Sequence, residues 1–230
     1  MLLYLLPIAN YSSMNSETII QNTASYVQQT LQNAEGGHDW WHILRVWNNA
    51  KLIARSEPAE LFVVELAALL HDIADSKFHD GNEDIGPQTA VAFLQSQSVD
   101  ADVIHHVENI IRYMSFKASF DGAGFRSPEL AVVQDADRLD AIGAIGIARA
   151  FTYGGFKGRE LYNPQIEPNL NMSKAEYKAS SAPTINHFYE KLLLLKDNMN
   201  TPTAKRLAEA RHQYMQTYLD QFNAEWNGLK

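Results

Sequence analysis

Residues 59–74, AELFVVELAALLHDIA, constrain the fold more than any other stretch of the chain. They are apolar nearly all round, and a helix without a polar face must be covered on every side. The rest of the chain offers helices to cover it. Residues 15–32 carry Ile19, Ile20, Ala24, Val27 and Leu31 as a single apolar stripe at helical spacing. Residues 38–55 follow, with Leu44, Trp47 and Leu52 as core positions. Residues 86–97 and 100–114 read as two shorter helices separated at 98–100. Residues 127–151 open with Ser127-Pro128-Glu129, which puts proline in the first turn of a helix. Two amphipathic helices, 184–199 and 202–226, are split by Asn200-Thr201-Pro202. No stretch alternates strictly enough to support a sheet, so the expected class is all-α.

Between these helices, residues 152–184 hold three glycines and three prolines among many polar residues. A loop that long inside a compact domain is uncommon and often functional. We expect residues 15–230 to form one domain, with its motif region at 38–151. Residues 1–14 read as an arm of uncertain order. The opening MLLYLLPIANYSS lacks a basic segment and is broken by Pro7, so it does not fit a signal peptide.

Composition narrows the functional classes. The chain has no cysteine, which removes disulfides, thiolate metal sites and cysteine nucleophiles. Its net charge of −8 opposes a general nucleic-acid binder but leaves room for a small anionic substrate. No apolar run is long enough to span a membrane, and cytoplasmic residence is the expectation.

The all-apolar helix ends in His71-Asp72, and ionisable side chains there are costly unless paired or metal-bound. Upstream lies His38-Asp39-Trp40-Trp41-His42-Ile43-Leu44-Arg45-Val46, where His38, His42 and Arg45 can share one helix face. Downstream lies Gln134-Asp135-Ala136-Asp137-Arg138-Leu139-Asp140, where Asp137 and Asp140 share a face. Imidazoles and carboxylates without sulfur suit Mn²⁺, Mg²⁺, Co²⁺ or Fe²⁺ and oppose a closed structural zinc site.

These elements, in this order, resemble the H…HD…D signature of the HD superfamily of metal-dependent phosphohydrolases. His42 within HILRV matches the first histidine, LLHDIAD supplies His71 and Asp72, and DADRLDAIG supplies Asp137. The resemblance, which extends to GIARAF and HFYEKL, is to small bacterial HD hydrolases. It implies an HD-domain helical bundle with two additional C-terminal helices. It also implies one divalent metal ion held by His42, His71, Asp72 and Asp137.

Asp75 matches the place of an acid proposed in several HD nucleotidases to orient or activate water, and Asp80 is a second acid further along. His105-His106 is the only histidine pair between the HD motif and Asp137. Adjacent helix residues point about 100° apart, so only one of the two can face a site, and a surface pair is the expectation. A mononuclear centre is therefore expected. Arg45, Lys77, Lys117, Lys157 and Arg159 are candidate phosphate contacts, with Arg45 and Lys77 assigned to catalysis beside Asp75. Arg138 can instead pair with a neighbouring acid. Lys157 and Arg159, within GGFKGRELY, suit a lid over phosphates. The glycines of AIGAIG lack the strand-turn context of a phosphate loop and read as close-packing positions on one helix. Trp40, Trp41 and Trp47 read as core or pocket wall.

The function expected is hydrolysis of phosphate esters or anhydrides of a small phosphorylated substrate, favouring nucleotides, with no nucleic-acid partner. The rivals are an HD-fold di-iron oxygenase and a non-catalytic metal- or nucleotide-binding helical module.

Overall fold

A computed structural model describes residues 9–32, 39–74, 82, 84–114, 124–173, 176 and 180–230, with side chains from residue 15 onward. His38, Asp75, Lys77, Asp80 and Lys117 lie outside the described residues. Every regular element among those described is helical, as the sequence periodicity leads one to expect. No helix among them is long and apolar enough to cross a membrane.

The chain forms two compact units. The first comprises residues 1–54 and 58–133, and the second residues 55–57 and 134–230.

In the first unit the helices are α1 (Ala9–Thr30), α2 (Trp40–Ala54), α3 (Leu61–Leu70), α4 (Ile85–Ser96) and α5 (Ala101–Tyr113). The apolar helix α3 packs against α1, α2 and α5, so its side chains are covered on several sides at once. Val63, Val64 and all of Leu66 to Leu70 are buried there. Each fully buried aliphatic side chain contributes about 1.5–3 kcal/mol, which makes α3 the hydrophobic centre of the unit. Glu60 caps its first turn by accepting the Phe62 N–H at 3.1 Å. The Glu60 N–H is itself held by the buried Glu129 carboxylate at 2.8 Å. Trp47 on α2 donates its indole N–H to Glu65 on α3 at 2.9 Å, with the Lys51 ammonium 3.9 Å above the indole ring.

Helix α6 (Pro128–Asp140) passes from the first unit into the second. The second unit continues with α7 (Gly143–Phe156), α8 (Thr184–Glu190), a 3-10 helix (Leu192–Asn198) and α9 (Pro202–Trp226). Helix α7 packs on α8 and α9, and the 3-10 helix packs on the same two. Ala204, Ala208, His212, Met215 and Leu219 form the buried stripe of α9 at helical spacing. Tilted and stacked ring contacts link Phe151, Phe188, Tyr218, Phe222 and Trp226 into one aromatic cluster.

Several boundaries differ from expectation. Helix α1 starts at Ala9, inside the segment read as an arm. Helix α3 stops at Leu70, and residues 71–74 form a turn. The helix expected over 127–151 is two helices. The break falls at Ala141 and Ile142, and Gly143 takes φ +76°, a conformation that glycine tolerates and side chains resist. Gly143 therefore breaks the expected helix, and it is also a close-packing position, since a Cβ there would come within 3.0 Å of the Arg211 side chain. Helix α7 runs on to Phe156, taking the first five residues of the segment expected as loop. The helix expected over 184–199 ends at Glu190, because Lys191 leaves helical geometry at φ −143°. The tighter three-residue repeat that follows stacks Leu192 and Leu195 on one side and leaves Leu194 exposed.

On α2 the buried face carries His42, Ile43, Val46, Trp47, Ala50 and Ile53. Trp41 and Leu52 fall on the opposite face, 61% and 42% exposed, so neither is a core residue.

Candidate metal centre

Asp39 sets the start of α2. Its carboxylate accepts the His42 N–H at 2.9 Å, and its carbonyl accepts the Ile43 N–H at 3.3 Å. This is an N-cap, worth about 1 kcal/mol, and it places His42 in the first turn on the buried face. His42 is 1% exposed. Arg45 follows one turn later and is half-buried.

His71 and Asp72 stand where α3 ends. The His71 Nδ1 lies 2.8 Å from the Ala68 carbonyl oxygen. A carbonyl only accepts, so Nδ1 carries the proton and the neutral ring keeps its lone pair on Nε2. That Nε2 is buried and has no hydrogen-bond partner among the described residues. It lies 3.7 Å from Asp72 Oδ2, and the same oxygen lies 3.7 Å from His42 Nε2. The two imidazole rings meet nearly edge to face, with centroids 5.5 Å apart. One ligand atom from each of His42, His71 and Asp72 falls within 4.8 Å of the others.

The donor chemistry fits a divalent cation. Two nitrogens and a carboxylate oxygen converge, and the lone pair of His71 Nε2 is turned toward them. Leaving such an atom buried and unpaired costs about 1–3 kcal/mol, and coordination removes that cost. The Ala68 carbonyl orients the ring from behind, as the outer partner of a metal-bound histidine does.

The other candidates divide clearly. Asp135 is fully buried and structural: it accepts the Asn200 N–H at 2.8 Å, the Thr201 N–H at 2.7 Å and the Thr201 hydroxyl at 2.8 Å. Asp140 is bonded by Arg149 at 2.7 Å. Arg138 donates to Asp135 at 3.3 Å and to the Asn198 carbonyl at 2.7 Å, so it pairs with a neighbouring acid as anticipated. Asp137 lies on α6 within the second unit and is half-buried.

Of the histidine pair, His105 is exposed beside Asn109 and Glu108. His106 bonds Ser127 Oγ at 3.0 Å and lies 3.3 Å from Glu129. Neither belongs to the trio. Burial opposes the charge on Glu129, yet the Glu60 and Glu129 N–H groups, the Ser127 hydroxyl and His106 outweigh it and hold its pKa below the ordinary carboxylate value.

On the segment after α7, Arg159 donates to the Ser180 carbonyl at 2.8 Å. Lys157 Nζ lies 5.1 Å from the Phe156 ring centre.

Sequence reasoning passed over Asp39 and the Ala68 carbonyl. A polar residue just before a helical pattern is a cap signal that would have found Asp39. The Ala68 contact is made by backbone and has no residue-type signature.

Residues 40–142 match the HD domain family. YpgQ of Bacillus subtilis, described as uncharacterised, is 39% identical over 89% of this chain and 92% of its own length. The crystal structure of an HD-superfamily hydrolase from Bacillus thuringiensis is 42% identical over 92% of this chain and 98% of that one, with a TM-score of 0.74. YpgQ solved in complex with ADP covers 92% of this chain and 96% of its own, at 37% identity and a TM-score of 0.73. A matched domain that spans the His42, His71-Asp72 and Asp137 elements, together with full-length relatives of this similarity, establishes that the chain belongs to the HD-domain family.

Proposed function

We propose that this chain is a metal-dependent phosphohydrolase that cleaves phosphate ester or anhydride bonds of nucleotides. The observation that carries the reading is the convergence of His42, His71 and Asp72 around the unpartnered Nε2 of His71. Asp137 is the fourth ligand in this reading. The description of the Bacillus thuringiensis relative as a hydrolase supports the reaction class, and the ADP complex of YpgQ supports nucleotide as the ligand class.

A divalent ion at these residues supplies Lewis acidity toward a phosphate oxygen and eases deprotonation of water. The protein's own groups do the rest. Asp75 accepts the proton of the attacking water, whose oxygen forms the new bond to phosphorus as the leaving oxygen departs. Arg45, one turn beyond His42, and Lys77 offset the charge that develops on the phosphate oxygens, where electrostatic stabilisation matters most. Lys117, Lys157 and Arg159 are further phosphate contacts in this reading. A di-iron oxygenase draws no support, since His105 and His106 stand outside the ligand trio.

The test is a screen of metal-loaded protein against nucleoside tri-, di- and monophosphates, cyclic diesters and simple phosphomonoesters, with product analysis. Turnover of a nucleotide to phosphate or pyrophosphate is expected. Metal bound in stoichiometric amount with no turnover of any phosphoester contradicts the reading and points to a non-catalytic binding module.

A further inference from the structure

The segment that follows α7 borders a cavity of about 300 Å³ within the second unit. Its wall takes Tyr162, Ile166 and Glu167 from the segment, Asn186 and Tyr189 from α8, and Asn223 from α9. Local bonds hold the segment in place. Asn163 accepts the Gln165 N–H at 3.0 Å and donates its amide to Glu160 at 2.9 Å. The Glu190 carboxylate accepts the Asn169 N–H at 3.0 Å, which ties the far end of the wall to α8. The Tyr162 ring stands nearly perpendicular to the Phe222 and Trp226 rings of α9, with centroids 5.7 and 4.9 Å away.

Asn186 is the polar member of this wall that is most deeply buried, at 1% exposed. Its Nδ2 donates to the Ile166 carbonyl at 2.8 Å. A carbonyl only accepts, so the amide cannot be turned round, and Oδ1 is left as an acceptor. That Oδ1 is buried and has no hydrogen-bond partner among the described residues. A buried acceptor without a donor is costly, and a ligand N–H removes the cost. The rest of the wall narrows the ligand. None of the described residues that line the cavity is basic, which disfavours a phosphate or a carboxylate. Glu167 brings a negative charge, and tyrosine rings such as Tyr162 and Tyr189 attract cations to their faces. Ile166 and Ile185 add apolar surface. The net charge of −8 favours the approach of a cation over that of an anion.

We propose that this cavity binds a small organic cation, an alkylammonium with a short aliphatic stem. One ammonium N–H donates to Asn186 Oδ1 in a charge-assisted bond. The Glu167 carboxylate offsets the charge, and the stem lies along Ile166 and Ile185. A cavity of this volume is at the small end for ligand sites, which suits an amine of a few carbons rather than a nucleotide. The site shares no residue with the His42–His71–Asp72 centre or with the proposed phosphate contacts, and it stands independently of the phosphohydrolase reading.

The experiment titrates full-length protein with 1,4-diaminobutane and follows the side-chain amide signals of Asn186 by NMR. The neutral isostere 1,4-butanediol, which keeps the stem and the donors but not the charge, is titrated in parallel. Sodium chloride holds the ionic strength constant. The expected result is a saturable shift of the Asn186 amide with the diamine, at an affinity about tenfold or more above that of the diol. Glu167→Gln, an exposed change that leaves the core intact, should weaken diamine binding by about fivefold, the upper end for a solvent-facing ion pair. Asn186→Ala should weaken it by about tenfold or more. If that variant fails to fold, the diol comparison and Glu167→Gln decide. Glu17→Gln, an exposed acid of α1 in the other unit, should leave the affinity unchanged. No saturable shift at Asn186, a diol that binds as tightly as the diamine, affinity unchanged by Glu167→Gln, or an equal loss in Glu17→Gln overturns the proposal. None of these outcomes bears on the metal centre.

Discussion

The Ala68 carbonyl oxygen lies 2.8 Å from His71 Nδ1, and this contact turns the other ring nitrogen toward Asp72 and His42. The partner is a main-chain atom three residues back, at the end of the most buried helix of its unit. The geometry of the ligand thus depends on the packing of α3 against α1, α2 and α5. A site on rigid, buried elements is held more closely than one on loops.

Asp75 separates ligand from base. Asp75→Asn should keep the metal, because Asp75 is not in the ligand set, and should lower turnover by roughly 10²–10⁴-fold if it accepts the proton of water. Metal analysis and steady-state kinetics on the same sample check both halves. Unchanged turnover moves the proton-accepting role to Asp72 or Asp80.

Lys157 and Arg159 bear on substrate length. The double substitution Lys157→Ala, Arg159→Ala should cost more activity on a nucleoside triphosphate than on its monophosphate, since a longer phosphate tail engages more cations. Equal losses on both substrates, or no loss on either, would remove the preference for triphosphates and leave metal-dependent hydrolysis standing.

His187 gives the second unit a pH dependence of known sign. Its folded pKa is lowered from 6.5 to about 4. The unfolded chain therefore binds a proton below 6.5 that the folded chain refuses until about 4. This contribution is complete above 6.5 and is lost as pH falls from 6.5 to about 4. Its upper bound is roughly 3 kcal/mol. Urea unfolding of wild type and His187→Gln across that window should show a shallower pH slope in the variant, and parallel slopes would contradict the assignment.

Much of this was legible in the chain. The helical period marks α2, α4, α5 and α9 to within about two residues, and the apolar run of 59–74 identifies the helix that others surround. His71-Asp72 and the upstream His42, which the structure brings together, were readable as candidate ligands because their spacing resembles a known pattern. The breaks were not readable. The end of α6 is fixed by Arg211, whose guanidinium donates to the Leu139 carbonyl from 72 residues away. Burial pushes the Arg211 pKa down and nearby Asp140 opposes it. No local pattern at Gly143 records that contact. Trp41 was misplaced for a related reason. Size and apolarity suggested core or pocket wall, but the turn set by the Asp39 cap leaves it about 100° round the helix from His42 and exposed rather than in the core.

The central claim is that His42, His71 and Asp72, with Asp137, hold one divalent ion. Metal analysis after reconstitution, on wild type and on His71→Ala and Asp72→Ala, tests it most directly. The account predicts about one ion per chain in the wild type and loss of metal and activity together in each variant. Metal content that survives both substitutions would contradict it.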